Sequence, residues 1–256
     1  MRRVAIVTGA SRGIGLAISK GFLANGVSVI GVARSHDALI KEQTKLTAEG
    51  SQAAFIPCAA DITTAAGIER IALCLEQNGL ALCALINNAG VIQPIAKIAD
   101  LNIEQWRRHF EVNVTAVVAL TQKLVPVLRK NSARVINVSS GAASHAYGAW
   151  SAYCASKAAV NMITQSLAVE EPEIVALAIR PGVVDTDMQG IVRSSGVESM
   201  LSSEYQKFKS LHESGGLLPP EKPAYSIVRL ALGAPKEISG GYYSWDSPEI
   251  AKYLLQ

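Results

Sequence analysis

Short runs of valine, isoleucine and alanine alternate along the chain with longer stretches of helical periodicity. Val4–Thr8, Val27–Val32, Ala53–Pro57, Ala81–Asn87, Arg134–Ser139, Val175–Ile179 and Gly241–Ser244 are predicted strands. Most lack polar alternation, and apolar character on both faces is what a parallel sheet covered by helices requires. Ile14–Ala24, His36–Glu49, Ala65–Gln77, Ile103–Arg129, Ser151–Glu170 and Pro220–Leu232 are predicted helices. Alternation of this kind predicts one α/β domain over residues 1–256, a doubly wound, seven-stranded parallel sheet with helices on both faces. One compositional break interrupts it, from Thr186 to Gly216, which is polar and has no strand pattern. A segment of that length is expected to be a substrate lid, with an ordinary surface helix pair as the plainer alternative.

Composition narrows the class. The 256 residues are 49% hydrophobic and 18% charged, which excludes a disordered chain. The net charge of +3 is too small and too evenly spread for a nucleic-acid surface or a polybasic membrane patch. The longest apolar stretch, Val112 to Leu128, is broken by Asn113, Thr115, Thr121, Gln122 and Lys123, so no transmembrane helix is expected. The N-terminal run Val4–Val7 meets glycine too soon for a signal peptide. The four cysteines show no CxxC spacing and read as reduced thiols, which predicts a cytoplasmic protein. The four histidines are scattered, and no metal site is expected.

The first strand runs into Thr8-Gly9-Ala10-Ser11-Arg12-Gly13-Ile14-Gly15 and then a helix. Gly9 permits a tight turn, Gly13 lets the backbone approach a pyrophosphate, and Gly15 allows close helix packing. The helix N-terminus adds free N–H groups and a positive dipole end. At the first strand–helix junction, this pattern predicts a dinucleotide site rather than a plain turn. An NAD site usually carries an acid at the end of the second strand. Here that strand ends in Ala33-Arg34-Ser35, a cation where the acid would be. Arg34, with Arg12 nearby, suits a 2′-phosphate, so NADP(H) is expected over NAD(H). Solvated surface charge is the alternative for both arginines.

With these features stand Asp61-Ile62, Asn87-Asn88-Ala89-Gly90, Asn113, Ser139-Ser140, Tyr153-x-x-x-Lys157 and Pro181-Gly182 followed by Thr186. Their order over nearly the whole chain resembles the short-chain dehydrogenase/reductase family, and implies a Rossmann fold. Within the family the chain most resembles fungal NADPH-dependent benzil reductases, and sepiapterin reductases more distantly. Gly148–Tyr153, Gly182–Gln189 and Leu217-Leu218-Pro219 carry that resemblance.

Tyr153 and Lys157 are four apart, on one helix face. A neighbouring ammonium is expected to pull the phenol pKa down toward the working range. The resemblance makes Tyr153 the proton donor to a carbonyl and has Lys157 also hold the nicotinamide ribose. Ser140, rather than the adjacent Ser139, is implied as the donor that stabilises the developing oxyanion. Asn113, at a helix start or bend, is implied to hold a water that links the lysine to solvent. Asn87, Ala89 and Gly90 are implied beneath the cofactor ribose. Asp61 and Ile62 are implied beside the adenine, although Asp61 also reads as a helix cap. Pro181, Gly182, Val184 and Thr186 are implied to clamp the nicotinamide. The substrate pocket is expected among Val91, Ile92, Gln93, Ala142, His145, Tyr147, Trp150, Val183, Met188 and Ile191. This largely apolar and aromatic set suits an aromatic ketone or 1,2-diketone as the small-molecule carbonyl partner.

The expected activity is NADPH-dependent carbonyl reduction. A nucleotide-sensing interaction protein on the same fold is one alternative. A secondary-alcohol dehydrogenase working in the oxidative direction is another. Family resemblance also implies a homodimer or homotetramer through Ile103–Arg129 and Ser151–Glu170, whose wide apolar faces equally suit packing on the sheet.

Overall fold

A computed structural model describes residues 2–48, 50 and 53–254. The strands are β1 (Arg3–Thr8), β2 (Ser28–Ala33), β3 (Phe55–Ala59), β4 (Ala81–Asn87), β5 (Arg134–Val138), β6 (Val175–Arg180) and β7 (Tyr242–Ser244). They form one sheet in the order β3-β2-β1-β4-β5-β6-β7, with every neighbouring pair parallel. This is a Rossmann fold. The crossing from β1 to β4 reverses the strand order, and a crevice opens at the carboxyl ends there.

Alternation along each strand feeds two cores. Ala5 and Val7 of β1 face the layer containing α1 (Gly13–Ala24), α2 (His36–Ala48) and, later in the chain, Glu221–Gly233. Val4 and Ile6 face the layer containing α3 (Ala65–Asn78) and the long helix that follows β4. Burial on both faces explains the near-continuous apolar strands. The expected end of the second helix, Glu49, lies outside the described residues.

One predicted helix is corrected. Ile103–Arg129 is not continuous: α4 (Ile103–Phe110) passes into a π turn at Glu111–Thr115 before α5 (Ala116–Lys130). Periodicity does not register the extra residue of a π turn, and such turns often mark functional sites. The whole stretch Ile103–Lys130 is long and apolar enough to cross a membrane by length and composition, despite the polar residues that interrupt it. Here Leu120, Leu124 and Leu128 pack into the sheet core, each no more than 2% exposed. α6 (Ser151–Glu170) keeps its expected bounds.

Residues 186–216 hold two helices, α7 (Asp187–Ser195) and α8 (Ser202–Glu213). The segment is pinched at its base. Asp185 N–H donates to the Leu218 carbonyl at 2.8 Å, and Leu218 N–H donates to the Val183 carbonyl at 2.9 Å. α9 (Glu221–Gly233) and α10 (Pro248–Leu254) complete the chain.

Candidate active site

A cavity of about 1160 Å³ runs along the carboxyl edge of the sheet. Its first part is the turn after β1. Gly9 and Gly13 hold φ of +68° and +54°, conformations that L side chains rarely adopt. A Cβ on Gly15 would lie 2.2 Å from the Gly9 carbonyl oxygen, so backbone rather than side chain fills that place. Arg12 stands at the α1 N-cap in extended conformation with no side-chain cap, which leaves the first N–H groups of the helix open. A bare turn ahead of an uncapped helix fits a pyrophosphate.

Of the residues expected to hold a cofactor, Gly9, Ser11, Arg12, Gly13, Ile14, Arg34, Asp61, Ile62, Ala89, Gly90, Tyr153, Lys157, Pro181, Gly182, Val184 and Thr186 all line this cavity. Gly15 and Asn87 do not. Asn87 is buried and donates to Asn137 Oδ1 at 2.8 Å, tying β4 to β5. Asn88 lines the cleft in its place and braces the glycine turn, donating to the Thr8 carbonyl at 2.8 Å. Strand alternation sends the two asparagines to different sides, so Asn88 and not the expected Asn87 faces the cleft.

At the adenosine end Arg12 and Arg108 already have acidic partners. Arg12 is bridged to Asp187 at the start of α7. Arg108, which the sequence reading missed, lies 3.8 Å from Asp61 and donates to Thr63 Oγ1 at 3.2 Å. Hydrogen bonds from Thr63 first, and then the Arg108 and Arg34 charges, hold the Asp61 carboxyl below its usual range against its partial burial. Asp61 is thus a loop-organising acid, and the helix cap beside it is Thr64, whose Oγ1 accepts from Gly67 N–H at 3.0 Å.

At the other end, Tyr153 and Lys157 are 7% and 6% exposed. Ser140 caps a short turn, and its hydroxyl hydrogen-bonds the Tyr153 phenol. Ser139 faces away and donates to Asn161 Oδ1 at 2.6 Å. Lys157 Nζ donates to the Val138 carbonyl at 2.7 Å. The expected lowering of the phenol is corrected here. Burial pushes Tyr153 up to about 12, against the Ser140 hydrogen bond, because a phenolate loses its hydration. Burial likewise brings Lys157 down to about 8. Lys157 Nζ stands 5.7 Å from the centre of the Tyr153 ring, and burial outweighs its charge at the phenol.

Asn113 sits in the π turn, 1% exposed and behind the cleft wall. Its Oδ1 accepts from Val91 N–H and its Nδ2 donates to the Val91 carbonyl, both at 2.9 Å. Both ends of its amide are therefore engaged with the strand-end loop.

Beyond Tyr153 the cavity is lined by Val91, Ile92, Ala142, Tyr147, Trp150, Val183 and Met188, all expected, and by Gln189, Val192, Phe208 and Trp245 besides. Phe208 of α8 stacks on Trp150 at 5.1 Å and meets Tyr147 at 5.8 Å. His145 does not line this cavity: it is exposed, edge-on to the Tyr147 ring at 4.7 Å. Ile191 packs behind the wall, and Gln93 lines a smaller cavity of about 490 Å³ beside it.

A dinucleotide turn, an open helix terminus and a buried tyrosine–lysine–serine group on one crevice define an oxidoreductase. The chain belongs to the short-chain dehydrogenase/reductase family: residues 3–195 match the family described as short chain dehydrogenase. An uncharacterised oxidoreductase of Schizosaccharomyces pombe is 40% identical over 246 residues, covering 96% of this chain and 97% of that protein. A benzil reductase ((S)-benzoin forming) of Saccharomyces cerevisiae is 34% identical over 262 residues, 98% of each chain. The crystal structure of a short chain dehydrogenase/reductase from Saccharomyces cerevisiae superposes with a TM-score of 0.92 at 32% identity, covering 99% of each chain.

Proposed function

We propose that the protein reduces one carbonyl of an aromatic or bulky ketone, a 1,2-diketone such as benzil above all, with NADPH. One observation carries the reading: Tyr153 and Ser140, hydrogen-bonded to each other, stand where the dinucleotide turn's crevice meets an aromatic pocket. Burial holds the phenol protonated, and the protonated form is the one that carbonyl reduction consumes. The similar yeast protein that is named a benzil reductase supports the substrate class.

The fit of the chain to the cofactor sets out the roles. The turn Gly9–Gly13, Ile14 and the open α1 terminus would hold the pyrophosphate. Arg34, with Arg12, would take the 2′-phosphate. Asp61 and Ile62 would flank the adenine, and Ala89, Gly90 and Lys157 the ribose. Pro181, Gly182, Val184 and Thr186 would hold the carboxamide. NADPH, when bound, supplies a hydride to the carbonyl carbon. Tyr153 gives its proton to the carbonyl oxygen, and Ser140 donates a hydrogen bond to that oxygen as charge develops. Tyr147, Trp150, Ile92, Ala142, Val183 and Met188 exclude water from it. Residues 186–216 close the pocket as a lid within a single domain.

Exposed Val118, Met162 and Val169 on α5 and α6, at 42%, 60% and 83%, support a homodimer or homotetramer through those helices. The unpaired cysteines suit a reducing cytoplasm.

Loss of reduced-cofactor absorbance tests the reading, with NADPH and NADH in parallel against benzil, other diketones, aldehydes and aliphatic ketones. Benzil with NADPH is expected to be fastest, and Tyr153→Phe to lower kcat by about 10³-fold. NADPH binding with silence on the whole panel points instead to a sensing protein. Faster turnover with NADH overturns the cofactor choice.

A further inference from the structure

The network that holds the tyrosine helix reaches behind the cleft to a buried imidazole. His109 is the only buried side chain of α4 and is 1% exposed. A leucine there would bury without the desolvation cost of an imidazole, which is offset only when the ring nitrogens find partners. Here both do. Nδ1 lies 2.6 Å from the Gln93 carbonyl, a group that only accepts, so Nδ1 carries the proton. Nε2 lies 2.9 Å from the Asn113 amide nitrogen and 2.9 Å from Ser156 Oγ.

The orientation of that amide is not free. Asn113 accepts from the Val91 N–H through Oδ1 and donates to the Val91 carbonyl through Nδ2. The nitrogen end therefore faces His109 as a donor, and Nε2 is the acceptor. This needs the neutral ring. Burial first, and the Lys157 charge after it, push His109 below its usual pKa against the Gln93 hydrogen bond. Ser156 Oγ also lies 2.9 Å from the Tyr153 carbonyl, so its one hydrogen is shared between that oxygen and Nε2, and the His109 ring meets the Tyr153 ring edge-on with centroids 6.2 Å apart. One imidazole joins the loop after β4, the π turn and the turn of α6 that carries Tyr153 and Lys157.

We propose that His109 is a positioning residue for proton transfer: as an Nδ1–H imidazole it locks the Asn113 amide and the α6 turn that aims Tyr153 into the cleft. It does not line the main cavity. The proposal rests on the reading of Tyr153 as the proton donor.

The test compares the full chain with His109→Leu, His109→Gln, Ser156→Ala and Tyr153→Phe, using NADPH and benzil. Glutamine offers an N–H to Gln93 and a carbonyl to Asn113, whereas leucine offers neither. For His109→Leu, kcat is expected to fall about thirtyfold through misaimed proton transfer, with the KM for benzil and the Kd for NADPH within about twofold. His109→Gln is expected to recover kcat to within about threefold of the parent. Full kcat in a folded His109→Leu protein overturns the proposal, as does a His109→Gln protein as slow as the leucine variant. If the leucine variant does not fold, Ser156→Ala decides. It cuts the link from His109 to α6, and kcat is expected to fall about fivefold at unchanged KM. An unchanged kcat there overturns the proposal. Full activity in Tyr153→Phe would remove the underlying reading instead, whatever His109 does.

Discussion

At the carbonyl end of the cleft, His109, Asn113, Tyr153, Ser156 and Lys157 are all under a tenth exposed and hydrogen-bonded. At the adenosine end, the side chains of Arg12, Arg108 and Asp187 are 74%, 55% and 66% exposed, and ion pairs hold them. Buried hydrogen bonds act in low dielectric and have no water to replace a lost partner. Exposed ion pairs contribute little and exchange partners readily. The chemistry is therefore built into the rigid end, and cofactor choice into the end where one charge substitutes for another at small cost.

The largest break of this contrast is at Lys157, where removing a charge is expected to help stability and destroy function. The unfolded lysine keeps its proton up to its ordinary pKa of 10.5, the folded one only to about 8. Between those values the unfolded chain binds more protons, so stability rises with pH across that window, and the penalty is present in full below it. Each pKa unit corresponds to about 1.4 kcal/mol. After allowance for the lost bond to Val138, Lys157→Met is expected to gain about 2 kcal/mol at pH 7. It should also flatten the stability profile between about pH 8 and 10.5, while kcat falls about 10³-fold. Urea titrations at several pH values measure the first effect. A variant less stable than the parent at pH 7 contradicts the burial argument.

Next in size is Arg34. A charge-assisted bond to phosphate is worth about 1.5–3 kcal/mol, and solvent exposure brings this to the low end. Arg34→Ala is expected to weaken NADPH binding about tenfold and leave NADH unchanged, with the difference shrinking as salt rises. Fluorescence titration at two ionic strengths reads it. An equal loss for both cofactors would make Arg34 an adenine-stacking residue with no part in selectivity.

The same contrast separates what was legible in the chain from what was not. The doubly wound parallel sheet follows from uninterrupted apolar strands alternating with helices, and the dinucleotide turn from glycine spacing ahead of a helix, whereas the strand order does not. Both signals are local. Tyr153, Lys157 and Ser140 were legible as an ordered set of motifs. The phenol pKa was not, because it depends on burial beneath Trp150, Tyr147 and Phe208, which meet only once the chain folds. Nor was the choice of Asn88 over Asn87, which turns on the parity of one strand end. His109 left a usable signal, standing four residues before Asn113 on one helix face. It passed unread because the π turn at Glu111–Thr115 leaves no mark in hydrophobic periodicity. In the 186–216 segment a polar composition concealed Phe208, which stacks on Trp150 and docks the segment onto the pocket.

The smallest expected effect bears most directly on the exposed end. Asp187 bridges Arg12 across the mouth of the cleft, joining the first residues of α7 to the glycine turn. The pair is exposed, so its loss should change stability by less than about 1 kcal/mol. If Arg12 is also a phosphate ligand, Asp187 competes with the cofactor for it. Asp187→Asn keeps the side-chain volume and removes the charge, so NADPH binding is expected to tighten about twofold, with no such gain for NADH. A loss of NADPH affinity would reverse this assignment. The ion pair would then be a strap that holds the lid over the bound cofactor, and the adenosine end would owe its affinity to lid closure as well as to charge.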